Sequence, residues 1–151
     1  MTASNRTILV LWGQSFDEIA ASIFVCELRR MGKRVKLVGL KHQHIAGQHG
    51  LTLVPDLSLG QALEAGKQTP CIIVPAPLAA LQQFSYDPRL AELLQLAADN
   101  AALLVATASP SDDTPHQTNL FDLLTTLPMM AYPITEELLP FIQGELGPRL
   151  A

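Results

Sequence analysis

The stretch Thr7-Ile8-Leu9-Val10-Leu11-Trp12-Gly13-Gln14-Ser15-Phe16-Asp17-Glu18, followed on to Leu40, decides the fold. From Ile8 to Trp12 every residue is apolar, and Gly13 ends the run. An apolar run without alternation marks a strand covered on both faces, as in a parallel sheet. A helix signal follows at once. Ser15-Phe16-Asp17-Glu18 fits a capping box, with Ser15 at the N-cap and Glu18 three residues on. The helix is expected to run to about Met31, with Gly32 as its stop. Arg34 to Leu40 then reads as a strand. Strand, helix and strand with a short return form the unit that builds right-handed parallel crossovers.

Working outward, His42 to Asp56 reads as an excursion beside the sheet, with a polar turn between Gly47 and Gly50 and a strand at Leu51–Val54. Ser58-Leu59-Gly60-Gln61 is a second capping box, opening a short helix that ends near Gly66. Cys71–Val74 is a buried strand closed by Pro75-Ala76-Pro77. Asp87-Pro88 starts a helix that carries Leu90, Leu93, Leu94 and Ala97 on one face and ends near Asn100. Ala102–Ala108 is another buried strand, and Ser109–Asn119 a polar loop. Two last helices are expected at Asn119–Leu127 and Thr135–Gln143, with a short edge strand at Met129–Tyr132. The expectation is one α/β domain over residues 1–151, a flavodoxin-like three-layer sandwich with a mostly parallel central sheet. Ligands in such folds sit outside the carboxyl ends of the strands.

Composition narrows the classes of function. The chain has 151 residues, 48% hydrophobic and 16% charged, the balance of a packed globule. Its net charge of -4 argues against bulk nucleic-acid binding. No stretch approaches the ~20 apolar residues that span a bilayer. Met1 to Thr7 lacks a signal-peptide core, so a cytoplasmic location without a membrane partner is expected. Cys26 and Cys71 lie in apolar runs and read as buried, reduced thiols.

The strand ends hold little chemistry. After the first strand only Gly13 stands where a dinucleotide fold needs G-x-G-x-x-G, and the P-loop lysine is missing, so no cofactor is expected. No central strand ends in the aspartate that a phosphorelay receiver needs. Ser109 or Ser111 could pair with His116, but Pro110 biases Ser109 away from the helical turn of a nucleophile elbow. A solvated loop is the simpler reading. His42, His44 and His49 cluster around the polar turn with no cysteine or carboxylate near them in the chain, so no metal is expected.

The order of signals resembles a known family. It runs F-D-E-I from Phe16, R-R-M-G from Arg29, K-R-V-K-L-V-G-L from Lys33, H-G-L-T-L-V-P-D-L-S-L from His49, C-I-I-V-P-A-P from Cys71, D-P-R-L-A-E-L-L from Asp87 and L-L-V-A-T-A from Leu103. Together these resemble the ThiJ/PfpI superfamily, within the class I glutamine amidotransferase-like fold, over about residues 7–109. His49–Asp56 with Leu59 is the most specific piece, and the last forty residues match poorly and look shortened.

The resemblance implies a catalytic cysteine after the strand Ala102–Thr107, where this chain has Ala108, or Ser109 one residue on. It implies a supporting glutamate in the first helix, where this chain has Ala20. Glu18 lies two residues earlier and faces elsewhere. It implies P-G-G at a strand end, where Pro75-Ala76-Pro77 stands and Pro77 has no N–H. The expectation is a vestigial cleft of Gln14, Ala20, Ala76, Ala108 and Ser109 in a non-catalytic binding or regulatory module. The alternative is a hydrolase, amidase/peptidase or glyoxalase-like, with a changed site at Ser109 and His116. A third reading is a binder of uncharged small molecules beneath Pro75–Pro77.

The first helix is apolar beyond the roughly 100° stripe that one sheet face needs. Members of the family often dimerise near this helix, so a homodimer through Phe16, Ile19, Ile23 and Phe24 is expected. Any other protein or small-molecule partner is left open.

Overall fold

The computed structural model describes residues 6–41, 44–107 and 119–150, without the side chains of Asn119 and Phe121. Its core is a six-stranded sheet of β1 (Thr7–Trp12), β2 (Arg34–Gly39), β5 (Leu57–Ser58), β6 (Cys71–Ile73), β7 (Leu103–Ala106) and β8 (Met129–Ala131). The strands lie in the order β5-β2-β1-β6-β7-β8, and every pairing is parallel. Val10, Leu11, Val38, Ile72, Ile73, Leu104 and Val105 are fully buried, as continuous apolar runs require of a sheet covered on both faces. A small antiparallel pair, β3 (Ile45–Ala46) with β4 (Thr52–Leu53), forms the expected excursion.

The helices make two layers. On one side α1 (Glu18–Arg30) packs with α5 (Thr135–Phe141) and the π-helical turn Ile142–Leu146, which leads into α6 (Gly147–Arg149). On the other, α2 (Leu59–Gly66) packs with α3 (Pro88–Asp99), and α3 with α4 (Asn119–Thr125). Gly32, at φ 86, ends α1 as expected: its N–H reaches Arg29 O and that of Lys33 reaches Leu28 O. Ser58 and Gln61 close the capping box of α2, and Asp87 caps α3. Among the described residues, no helix is long and apolar enough to cross a membrane.

Several expectations are corrected. Asp17, not Ser15, is the N-cap of α1, its carboxylate accepting the N–H groups of Ile19 and Ala20. Ser15 instead occupies the left-handed region at φ 69, inside a turn closed by Phe16 N–H on Gly13 O. The edge strand β5 and the 3-10 segment Leu78–Phe84 had no sequence signal strong enough to place them. β5 has two residues, too few for periodicity, and a 3-10 turn buries i and i+3 without an α-helical stripe. The C-terminal helical segment runs on past Gln143 through the π turn. Cys71 is buried, but Cys26 is exposed, because α1 turns it away from the sheet.

At the amino edge of the sheet, buried Thr69 holds three elements together. Its hydroxyl lies 2.7 Å from Thr7 O and 2.9 Å from Cys71 O, and its own carbonyl accepts from the Asn100 side chain.

Candidate functional site

The strand order locates the crevice to inspect. From β1 the chain moves outward to β2 and β5, then crosses back to β6 on the other side of β1. The connections therefore part at the carboxyl ends of β1 and β6, where open sheets of this kind bind ligands. Trp12–Phe16 and Val74–Pro77 lie at those two ends, and an aromatic cluster packs against the first of them. Trp12, Phe16 and Phe84 are buried and meet edge to face, with centroids 6.2 and 6.1 Å apart. Phe84 rests on the backbone of Gly13: a Cβ added there would lie 2.6 Å from its Cζ. The Trp12 indole N–H donates to Ile45 O at 3.1 Å, so the excursion is tied to the same cluster.

Of the residues expected in the cleft, Gln14 is exposed, while Ala20 and Ala76 are buried. Ala108, Ser109, Ser111 and His116 lie outside the described residues. The two positions after Pro75 leave no backbone N–H free. Ala76 N–H is engaged by Val74 O at 2.8 Å, and Pro77 has no N–H.

Beside the crevice lies a charged cluster that the capping-box reading concealed. Glu18 is buried, and the turn from Gly47 to Leu51 wraps around its carboxylate. Its oxygens accept the N–H of His49 at 3.0 Å and of Leu51 at 2.9 Å, and Oε1 lies 2.8 Å from His49 Nδ1. Burial alone would raise the Glu18 pKa. The N–H of Leu51, the His49 ring and the His49 N–H outweigh it and hold the pKa down at about 2. Gly47 is required here, since a Cβ would lie 2.5 Å from the Glu18 carboxyl carbon. Gly50, at φ 85, turns the chain between the two donors. The pairing H-G at His49-Gly50 and the small Gly47 were the signals in the sequence for this clamp.

Asp17, Glu18 and His49 place a ligand atom each within 4.8 Å of one another, so carboxylates do lie beside His49, contrary to expectation. The Glu18 oxygens already receive the turn's N–H groups, and Asp17 Oδ1 receives two from α1. With these bonds the cluster acts as a clamp that fixes the turn on the helix. His44 stands apart from this cluster, and His42 lies outside the described residues. Tyr132, packed edge-on against Phe24 at 5.1 Å, has its hydroxyl pKa pushed up by burial and by the nearby Asp17 charge.

The excess apolar surface of α1 is largely covered from within. Phe16 and Phe24 are fully buried, which removes them from any contact with a partner. Phe24 packs under the C-terminal segment because α5 and the π turn lie along that side of α1. Ile19, 42% exposed, and half-buried Ile23 stay at the surface, as do half-buried Val25 and exposed Cys26. Leu51 and Val54, 58% and 64% exposed, lie on the neighbouring segment. That segment is bound to α1 by the Leu51 N–H on Glu18 and by Asp56 on Arg29.

The fold and the crevice define an open, doubly wound α/β protein with its switch point at β1 and β6. The DJ-1/PfpI family model matches residues 6–110, and the chain belongs to the DJ-1/PfpI family. Among solved structures, the VC2308 protein superposes with TM-score 0.66 at 16% identity, over 96% of this chain and 89% of that one. Oxidized DJ-1 of Toxoplasma gondii gives 0.65 at 19% identity, over 91% and 69%. Drosophila melanogaster DJ-1beta gives 0.62 at 19% identity over 80% of this chain, which spans 60% of the fly protein's length. At these identities the likeness is one of fold. A search of curated proteins found no match.

Proposed function

We propose that this chain is a non-catalytic member of the DJ-1/PfpI family that acts as a binding or regulatory module and pairs as a homodimer. The observation that carries the reading is the packing of the Phe84 ring on Gly13, at the carboxyl end of β1 where such folds bind ligands. Ala20 in place of the family's glutamate and the engaged N–H of Ala76 support it. Exposed Ile19 and half-buried Ile23 on α1, with exposed Leu51 on the neighbouring segment, support the dimer, as the outer part of the face expected to pair.

The full chain is assayed for methylglyoxal consumption, aminopeptidase and esterase turnover. The expected result is no rate above the uncatalysed reaction. Turnover that Ser109→Ala or His116→Ala abolishes would overturn the reading in favour of a serine hydrolase. For the dimer, sedimentation at micromolar concentration is expected to give twice the chain mass, and Ile19→Asp to halve it. A wild-type monomer removes the dimer.

A further inference from the structure

At the far side of the same carboxyl edge, β2 and β5 open onto a groove of about 470 Å³. Its apolar surface comes from Val54, Pro55 and Leu57, with Leu40 and Leu59 buried behind them. Its rim carries Lys41, Ser58, Gln61 and Arg89. The polar groups of that rim are unequal in kind. Asp56 is its one carboxylate, and Oδ2 is held by the Leu37 N–H at 2.8 Å and by Arg29 at 2.9 Å. Arg89 commits Nε and Nη2 to Asp87 at 3.1 and 2.8 Å. Its Nη1 lies outside that fork and over Gly60, 3.4 Å from where a Cβ would stand. Lys41 makes no ion pair among the described residues.

Ser58 and Gln61 use their acceptor oxygens on each other's backbone N–H, at 3.2 and 2.8 Å. What each has left is a hydrogen to donate: the serine hydroxyl and the glutamine amide. The rim thus carries four donor groups, two of them cationic, against one carboxylate, Asp56, whose charge is paired with Arg29, beside the apolar surface of Val54, Pro55 and Leu57. Such a lining matches a molecule with an anionic acceptor at one end and an apolar body at the other.

We propose that this groove binds a small organic anion, its carboxylate or phosphate head between Lys41 and Arg89 and its apolar body along Leu57, Pro55 and Val54. The site is separate from the switch-point crevice and goes beyond the reading given to that crevice. Either can fail alone.

The test is a titration of the isotope-labelled full chain at constant ionic strength, followed by amide shifts. Four probes are compared: phenyl phosphate, benzoate, benzyl alcohol and inorganic phosphate. Phenyl phosphate or benzoate is expected to shift the amides of Lys41, Ser58 and Gly60 saturably, and the tighter of the two assigns the head. Benzyl alcohol lacks the charge and inorganic phosphate lacks the body, so each is expected to bind about tenfold more weakly. Lys41→Gln is expected to weaken the better probe by about three- to tenfold, because it removes one charge-assisted contact. It leaves the remaining spectrum unchanged. Arg89→Gln is the second variant, read in the same way once its α3 amides are seen in place. Equal binding of benzyl alcohol would leave an apolar groove only and overturn the proposal. So would shifts dispersed over other basic surfaces, affinity unchanged in both variants, or no saturation.

Discussion

Two places on one edge of the sheet have received opposite treatment. At the end of β1, Trp12, Phe16 and Phe84 pack together down to the backbone of Gly13. Between β2 and β5 the edge stays open, with a donor-bearing rim over leucine and proline. Both lie at carboxyl ends of parallel strands, where the topology alone would favour a ligand. The difference shows that topology offers positions, and side-chain volume decides which are available. A fold-level argument would have chosen the first place; the packing favours the second.

The sharpest way to break this contrast is to empty the filled side. Phe84→Ala removes a buried ring that nothing nearby can replace, and is expected to cost about 3–5 kcal/mol in chemical denaturation. A cost below about 1 kcal/mol would mean that the ring is not part of the core.

Next in size is the clamp that holds the Gly47–Leu51 turn beside the crevice. Glu18→Gln puts an amide among N–H donors and is expected to cost about 2–3 kcal/mol. The pH dependence has a definite sign. The Glu18 pKa lies at about 2 in the fold against an ordinary 4.5, so its stabilisation is complete above 4.5 and is lost as pH falls toward 2. Glu27, held low by hydrogen bonds from Arg30 and Gln143, titrates in the same direction. The difference between wild type and Glu18→Gln, measured from pH 6 to 3, isolates Glu18: it is expected to shrink as pH falls (window on the order of the ordinary carboxylate range). A constant difference would assign the effect to packing.

The smallest effects make the finest comparison. Gly13→Ala drives a methyl into Phe84 and is expected to cost about 1–3 kcal/mol. Gly60→Ala, on the open side, meets only Arg89 Nη1 at 3.4 Å. It is expected to lie between neutral and about 0.5 kcal/mol stabilising, as a helical alanine should. Equal costs at the two glycines, read by thermal or urea unfolding, would erase the distinction between filled and open.

Much of the sheet was legible because its strands are continuous apolar runs, as at Leu9–Trp12 and Cys71–Ile73, and because Asp87-Pro88 and Ser58–Gln61 carry strong local chemistry. The two-residue strand Leu57–Ser58 was not, since its pairing with Val38 and Gly39 is a long-range fact. Glu18 was misread for a related reason. Local spacing made it a partner for Ser15, while the fold gave its carboxylate to His49 and Leu51, some thirty residues on. Phe16 and Phe24 were assigned outward because helical periodicity shows how wide an apolar face is, not what covers it. The packing of Phe84 on Gly13 was invisible for the same reason, since the ring comes from an unsignalled 3-10 segment.

Thr69 gives this contrast a different meaning. A single buried residue fastens the starts of β1 and β6 through its hydroxyl and, through its carbonyl and Asn100, the end of α3. These fastenings sit at the edge opposite both the crevice and the groove, so strand register does not depend on what occupies either. The chain is in effect hemmed along one border and left to vary along the other.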